Sequence, residues 1–107
     1  MTLVEFLTAR LADDEAIAQR AVRWNEGCRD WATDGEPDWE HIALHDPARV
    51  LREVESKRQI IASYVGLDAQ AKYPDHEGGM ADGLYFAIAC LALPYSDHPE
   101  YDETWKP

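Results

Sequence analysis

The stretch His41-Ile-Ala-Leu-His45-Asp46-Pro47-Ala-Arg-Val-Leu-Arg-Glu-Val-Glu-Ser-Lys-Arg58 decides how this chain folds. Asp46 is a favoured helix cap, and Pro47 suits the first helical position, where its missing N–H has no partner to lose. Behind them Val50, Leu51, Val54, Ile61 and Val65 recur as one apolar stripe. That stripe predicts a helix over 46–65, with Gly66 as its stop. Arg58 interrupts the stripe, where its stem can lie on apolar surface while the guanidinium reaches water. Arg49–Glu53 and Glu53–Lys57 at i,i+4, and Glu55–Arg58 at i,i+3, should each add roughly 0.2–0.5 kcal/mol on the outer face. Glu40 to Leu44 reads as a short helical turn just ahead of the cap.

On the N-terminal side, Thr2 with Glu5 three residues later is a capping-box pattern, in which each side chain satisfies a free backbone N–H. Leu3, Phe6, Leu7, Leu11, Ile17, Ala21 and Trp24 follow at steps of three and four, with small slips. They predict a first helix over 2–24. Residues 25–38 hold Gly27, Gly35, Pro37 and several acids without helical period, and read as a loop onto which Trp31 and Trp39 fold. On the C-terminal side, residues 67–80 include Pro74, Gly78 and Gly79 and read as a mobile connection. A third helix is expected over 82–93. Its Leu84-Tyr-Phe-Ala-Ile-Ala-Cys-Leu-Ala-Leu93 is apolar all round, which predicts enclosure by other helices or by a partner subunit. Pro94 ends it. The tail 94–107, with Tyr95, Tyr101 and Trp105 spaced by prolines, reads as an extended strap over a hydrophobic surface. No strand pattern and no repeat occurs. The expectation is one small all-α domain over 1–107, with three main helices and an aromatic, proline-rich tail.

The chain has 107 residues, 46% of them hydrophobic, so it can bury a core of limited volume. Its net charge is -11. Residues 1–40 carry 10 acids and 4 bases, residues 41–65 carry 3 acids and 4 bases, and residues 66–107 carry 8 acids and 2 bases. The central helix is thus slightly basic between acidic flanks. This balance repels phosphate backbones and excludes direct nucleic-acid binding as an expectation. It leaves open an acidic surface that mimics nucleic acid in a partner's basic groove, beside the simpler role of keeping a small protein soluble. Cys28 and Cys90 form no CxxC pattern, and Cys90 lies in an apolar run where a buried thiol is ordinary. No signal peptide precedes the first helix, and no apolar stretch approaches the roughly 20 residues a bilayer span needs. A cytoplasmic protein with free thiols, not bound to membrane, is expected.

Three segments carry a family resemblance: Met1-Thr-Leu-Val-Glu-Phe-Leu-Thr-Ala-Arg-Leu-Ala-Asp-Asp-Glu15, the His41-to-Arg58 stretch, and Leu91-Ala-Leu-Pro-Tyr-Ser-Asp-His-Pro-Glu-Tyr101 with Trp105. Together they resemble an uncharacterised family, a domain of unknown function common in actinobacteria and their phages. About half the chain carries the match. Members often have a Thr-Pro-Gly-Pro-Trp turn after the first helix, whereas here Ala21-Val-Arg-Trp24 continues the helical pattern. The resemblance implies no activity.

His41 and His45 are four apart, so a helical turn sets both imidazoles on one face, a spacing used by zinc sites. A third ligand could come from Asp46, His98, Asp97 or Cys28, but no second fixed-spacing pair completes a four-ligand set. Against this, Asp46 is already explained as a cap, and paired histidines commonly serve in capping or at the surface. His45-Asp46-Pro47 and Asp97-His98-Pro99 also echo each other, and an Asp–His pair can orient an imidazole as a general base. Local turn hydrogen bonding explains the same residues. No nucleophile elbow and no phosphate loop is present. The aromatic set Trp24, Trp31, Trp39, Tyr95, Tyr101 and Trp105 suits either a pocket or, more ordinarily, a small core.

The function these readings favour is a non-enzymatic interaction or accessory protein acting through protein contacts. The partner would be another protein or a second copy in a symmetric homodimer, with a monomer covered by its own tail as the rival. The alternatives are a zinc-type metal-binding or small hydrolytic protein using His41, His45, Asp46 and His98, and an acidic nucleic-acid mimic.

Overall fold

The computed structural model describes residues 1–21, 37–69 and 74–107, and every regular element in them is helical. The chain is all-α. Residues 22–24 of the predicted first helix, most of the predicted loop, Cys28 and Trp31 lie outside the described residues. The chain divides into two compact units, Met1–Arg10 with Ser56–Pro107, and Leu11–Glu55.

Helix α1 spans Leu3–Arg20. Its start is the predicted capping box: the Thr2 backbone N–H donates to Glu5 Oε1 at 2.9 Å, and the Glu5 N–H donates to Thr2 Oγ1 at 3.1 Å. Leu3, Phe6, Leu7, Leu11 and Ala18 are buried, while Ile17 stands in solvent. Eighteen is two turns beyond eleven, so the small Ala18 keeps the inward register that the larger Ile17 breaks.

Helix α2 spans Pro37–Leu44. It begins earlier than the single turn expected from Glu40, because Pro37 takes the first helical position and Asp38 and Glu40 complement the positive end of the helix. Helix α3 spans Pro47–Ala69 and runs straight through the predicted stop. Gly66 keeps an ordinary backbone there and meets no neighbour within 4 Å of an added Cβ. Helix α4 spans Pro74–Ala92. The predicted link over 67–80 is thus helical over most of its length. Pro74 again sits at a helix start, and the cost of Gly78, Gly79 and Gly83 inside a helix, about 1 kcal/mol each, is outweighed.

In the first unit the buried side chains are Leu3, Phe6 and Leu7 of α1, Ile61 of α3, Ile88, Ala89 and Ala92 of α4, and Tyr101 of the tail. The described residues enclose the third helix only in part. Among the described side chains of α4, Ile88, Ala89 and Ala92 are buried, while Met80, Tyr85, Phe86 and the thiol-bearing Cys90 are exposed, as is Leu93 in the turn that follows. The apolar run is longer than the cover that the unit supplies.

The tail is turned rather than extended. Short 3-10 helices occupy Leu93–Tyr95 and Glu103–Trp105, the second capped by Asp102, which accepts from the Thr104 N–H at 2.9 Å. Phe6 gathers the tail: its ring lies 5.5 Å from His98, 5.7 Å from Tyr101 and 5.2 Å from Trp105. Tyr101 and Trp105 meet edge to face at 5.6 Å. The tail therefore straps the hydrophobic surface as expected, through aromatic edges rather than an extended backbone.

Candidate functional site

The second unit holds the histidine segment. The His45 N–H donates to the His41 carbonyl at 3.1 Å, which carries the helical turn of α2 through His45. The two imidazoles consequently lie side by side, with ring centroids 4.6 Å apart and both residues exposed. Asp46 follows at 4% exposure. Its Oδ1 accepts from the Arg49 N–H at 2.9 Å, and its carbonyl accepts from the Val50 N–H at 3.1 Å, so it caps α3 with both side chain and backbone.

Arg49 ties the junction together. Its Nε donates to Glu53 Oε1 at 3.0 Å, and Nη1 reaches back to the Leu44 carbonyl at 3.3 Å. One guanidinium thus links the open C-terminal carbonyls of α2 to the first turns of α3. The bend at His45-Asp46 is held by Asp46 from one side and Arg49 from the other.

This bend opens a hollow of about 360 Å³ lined by Asp14, Ile17, Ala18, Ala21, His45, Pro47, Val50 and Glu53. Its floor is apolar, and His45, Asp14 and Glu53 supply the titratable groups on its wall. Among the described residues no three His, Cys, Asp or Glu side chains converge to hold a metal ion. His41 and His45 set two imidazole rings beside each other, tilted by 44°. Asp46 is occupied by its cap. The sequence marks Glu53 as an ion-pair partner on the outer face of its helix but does not bring it and Asp14 to one hollow, because nothing local links residues on separate helices.

His98 belongs to the first unit and has a different role. The Glu100 N–H donates to its Nδ1 at 3.1 Å, and the Arg10 guanidinium lies 3.0 Å from Nδ1 and contacts Nε2. Both the Glu100 N–H and Arg10 are donors at Nδ1, so Nδ1 is the accepting nitrogen and the ring hydrogen sits on Nε2. Arg10 also pairs with Glu100 at 3.7 Å and lies 5.3 Å from the centre of the Phe6 ring. Asp97 is exposed. The sequence did not mark Arg10, although its position four residues after Phe6 on one helical face is the signal that could have found it.

A second hollow of about 500 Å³ lies in the first unit, lined by Thr2, Leu3, Val4, Tyr64, Val65, Tyr85 and Trp105. Tyr64 and Tyr85 meet there at 5.8 Å. Among the described residues of the aromatic set named from sequence, Trp105 reaches it.

All three resembling segments fall within one match. The chain belongs to DUF6221, a family of unknown function. The family model covers residues 1–107, the whole length that the quoted motifs span only in part. No curated protein and no solved structure matches the chain. DUF6221 membership therefore brings no activity with it, and among the described residues no helix is long and apolar enough to cross a membrane.

Proposed function

We propose that this DUF6221 chain is a non-enzymatic accessory protein that acts through protein contacts. The observation that carries this is apolar surface left in water by short helices. On α2, Trp39, Ile42 and Leu44 are exposed, and on α4 Met80 and Phe86 are 63% and 59% exposed. Scattered exposed apolar residues are normal, but several on one short helix mark a surface that a partner can cover. Residues carrying only solubility would not need this arrangement.

The test is capture of a partner by the purified chain from its own organism, followed by titration of that partner against the wild type and Ile42→Asp. Micromolar or tighter binding that Ile42→Asp weakens at least tenfold supports the reading. Binding indifferent to both the α2 and α4 faces, or turnover of a small-molecule substrate that depends on His45, overturns it.

One observation favours a second reading, metal binding by the histidine pair. Two neighbouring imidazoles would supply two of the four ligands zinc takes, and water or a second molecule would have to supply the rest. A zinc titration of the wild type against His41→Ala and His45→Ala separates the two readings.

A further inference from the structure

Taking the chain to act through protein contacts, we propose that the exposed face of α4 pairs antiparallel with the same face of a second copy. Gly79, Gly83, Phe86, Cys90 and Leu93 recur at steps of four, three, four and three, so they share one side of the helix and of the turn that continues it. All five are exposed, with Phe86 at 59% and Leu93 at 38%, while Ile88, Ala89 and Ala92 of the same helix are buried. A Cβ built at Gly79 or Gly83 meets nothing within 4 Å, so the two glycines form an open notch. Phe86 and Cys90 project from the next turns of the same face.

That sequence of notch and knob is self-complementary. A twofold axis crossing α4 between Gly83 and Phe86 sets Phe86 against the partner's Gly83 and Cys90 against the partner's Gly79. The same patch then serves both copies, as a closed dimer requires. Missing side chains at the notch let the backbones approach, and the phenyl ring fills the space they leave.

Charge points to the same occupant. Two chains of net charge -11 repel over most of their surfaces. From Gly83 to Tyr95 there is no Asp, Glu, Lys or Arg, and the register sets the exposed Asp82, at the edge of this face, opposite an alanine of the second copy rather than another carboxylate. The area is modest. The exposed parts of Phe86, Leu93 and the flanking Met80 amount to roughly 300 Å² per copy, or about 600 Å² for the pair, which is the size of a weak, transient interface rather than a permanent one. The dimer should accordingly be concentration-dependent, with a dissociation constant in roughly the micromolar range.

Sedimentation velocity from low-micromolar to several hundred micromolar protein tests this. Wild type is expected to pass from monomer to dimer. Phe86→Asp, which puts a charge at the knob, and Gly83→Leu, which fills the notch, are expected to stay monomeric with unchanged helical circular dichroism. Both positions face open solvent within one chain, so neither substitution disturbs the fold that carries it. In a Cys28→Ser background, a short bismaleimide should join Cys90 of one copy to the introduced thiol of Gly79→Cys in the other. A wild type that is monomeric throughout overturns self-pairing and leaves the contact reading to the separate test on Ile42. A dimer that survives both substitutions overturns the assignment to α4. Efficient Cys90-to-Cys90 joining overturns the antiparallel register.

Discussion

Replacing Phe6 with leucine tests what holds the tail to the first helix. The side chain is fully buried, and its ring meets three others at 5.2 to 5.7 Å. Each such pair contributes about 0.5–1.5 kcal/mol beyond its buried area, and the three share one ring, so their sum is about 2 kcal/mol rather than the full total. The Arg10 guanidinium over the same ring adds about 1 kcal/mol. Leucine retains much of the apolar volume, so little further cavity cost arises. Phe6→Leu should therefore lower stability by about 3 kcal/mol, a large share of the roughly 5–15 kcal/mol available to a domain. Urea unfolding followed at 222 nm measures this directly, and thermal unfolding should show Tm falling by roughly 10–20 °C. The near-ultraviolet circular dichroism of the tail aromatics should weaken in the same variant. A loss below about 1 kcal/mol with an unchanged denaturant slope would show that the tail is held by something other than this ring cluster.

Asp46→Ala should cost about 1–2 kcal/mol by urea unfolding, whereas Asp46→Asn, still able to cap, should lose only a fraction of that. Tyr101→Phe should raise stability by about 1 kcal/mol, because the buried Tyr101 hydroxyl meets no hydrogen-bond partner among the described residues. The pH dependence has a definite sign. Hydrogen bonds from Thr2 hold the Glu5 carboxyl below its ordinary pKa, and hydrogen bonds from Thr104 do the same for Asp102. Protonation is therefore harder in the folded chain than in the unfolded one. This contribution is complete above the ordinary carboxylate range and is lost as pH falls through the lowered folded values. Tm measured from pH 7 to pH 3 should fall, and the Glu5→Gln, Asp102→Asn double variant should fall less steeply. Zinc titrated into the wild type should bind no more tightly than to a surface histidine pair if contacts are the function. Submicromolar zinc lost in both His41→Ala and His45→Ala would make the pair a metal site.

Local chemistry was legible from the residues. Thr2 and Glu5, Asp46 and Pro47, and the Arg49–Glu53 pair act within three or four positions of themselves, and the structure shows each of them in place. The adjacency of His41 and His45 was legible for the same reason. Signals that depend on what a segment packs against were not. Gly66, Gly78 and Gly79 looked like stops and links because glycine weakens an isolated helix, but tertiary packing outweighs about 1 kcal/mol per residue. Ile17 looked more like core than Ala18, although the helical register buries Ala18. Exposure of one face of α4 was hidden because an all-apolar run carries no contrast between its sides. Arg10 with His98 and Glu100, and Asp14 with Glu53 around the hollow, are joined across distances along the chain that no spacing rule reports.

The tail's attachment also sets an order of assembly. Arg10 and His98 stand 88 positions apart, and the first unit is split in sequence into Met1–Arg10 and Ser56–Pro107, with Leu11–Glu55 between them. During synthesis at about 5–20 residues per second, the opening turns of α1 leave the ribosome several seconds before Tyr101 and Trp105 exist to cover Phe6. The intervening unit holds contacts between residues close in sequence, the Asp46 cap on Arg49 among them. Closure then requires a long-range contact whose loop entropy grows only slowly with length but must be met before any ring packs. Phe6 thus gains the rings that bury it only after the tail has been made.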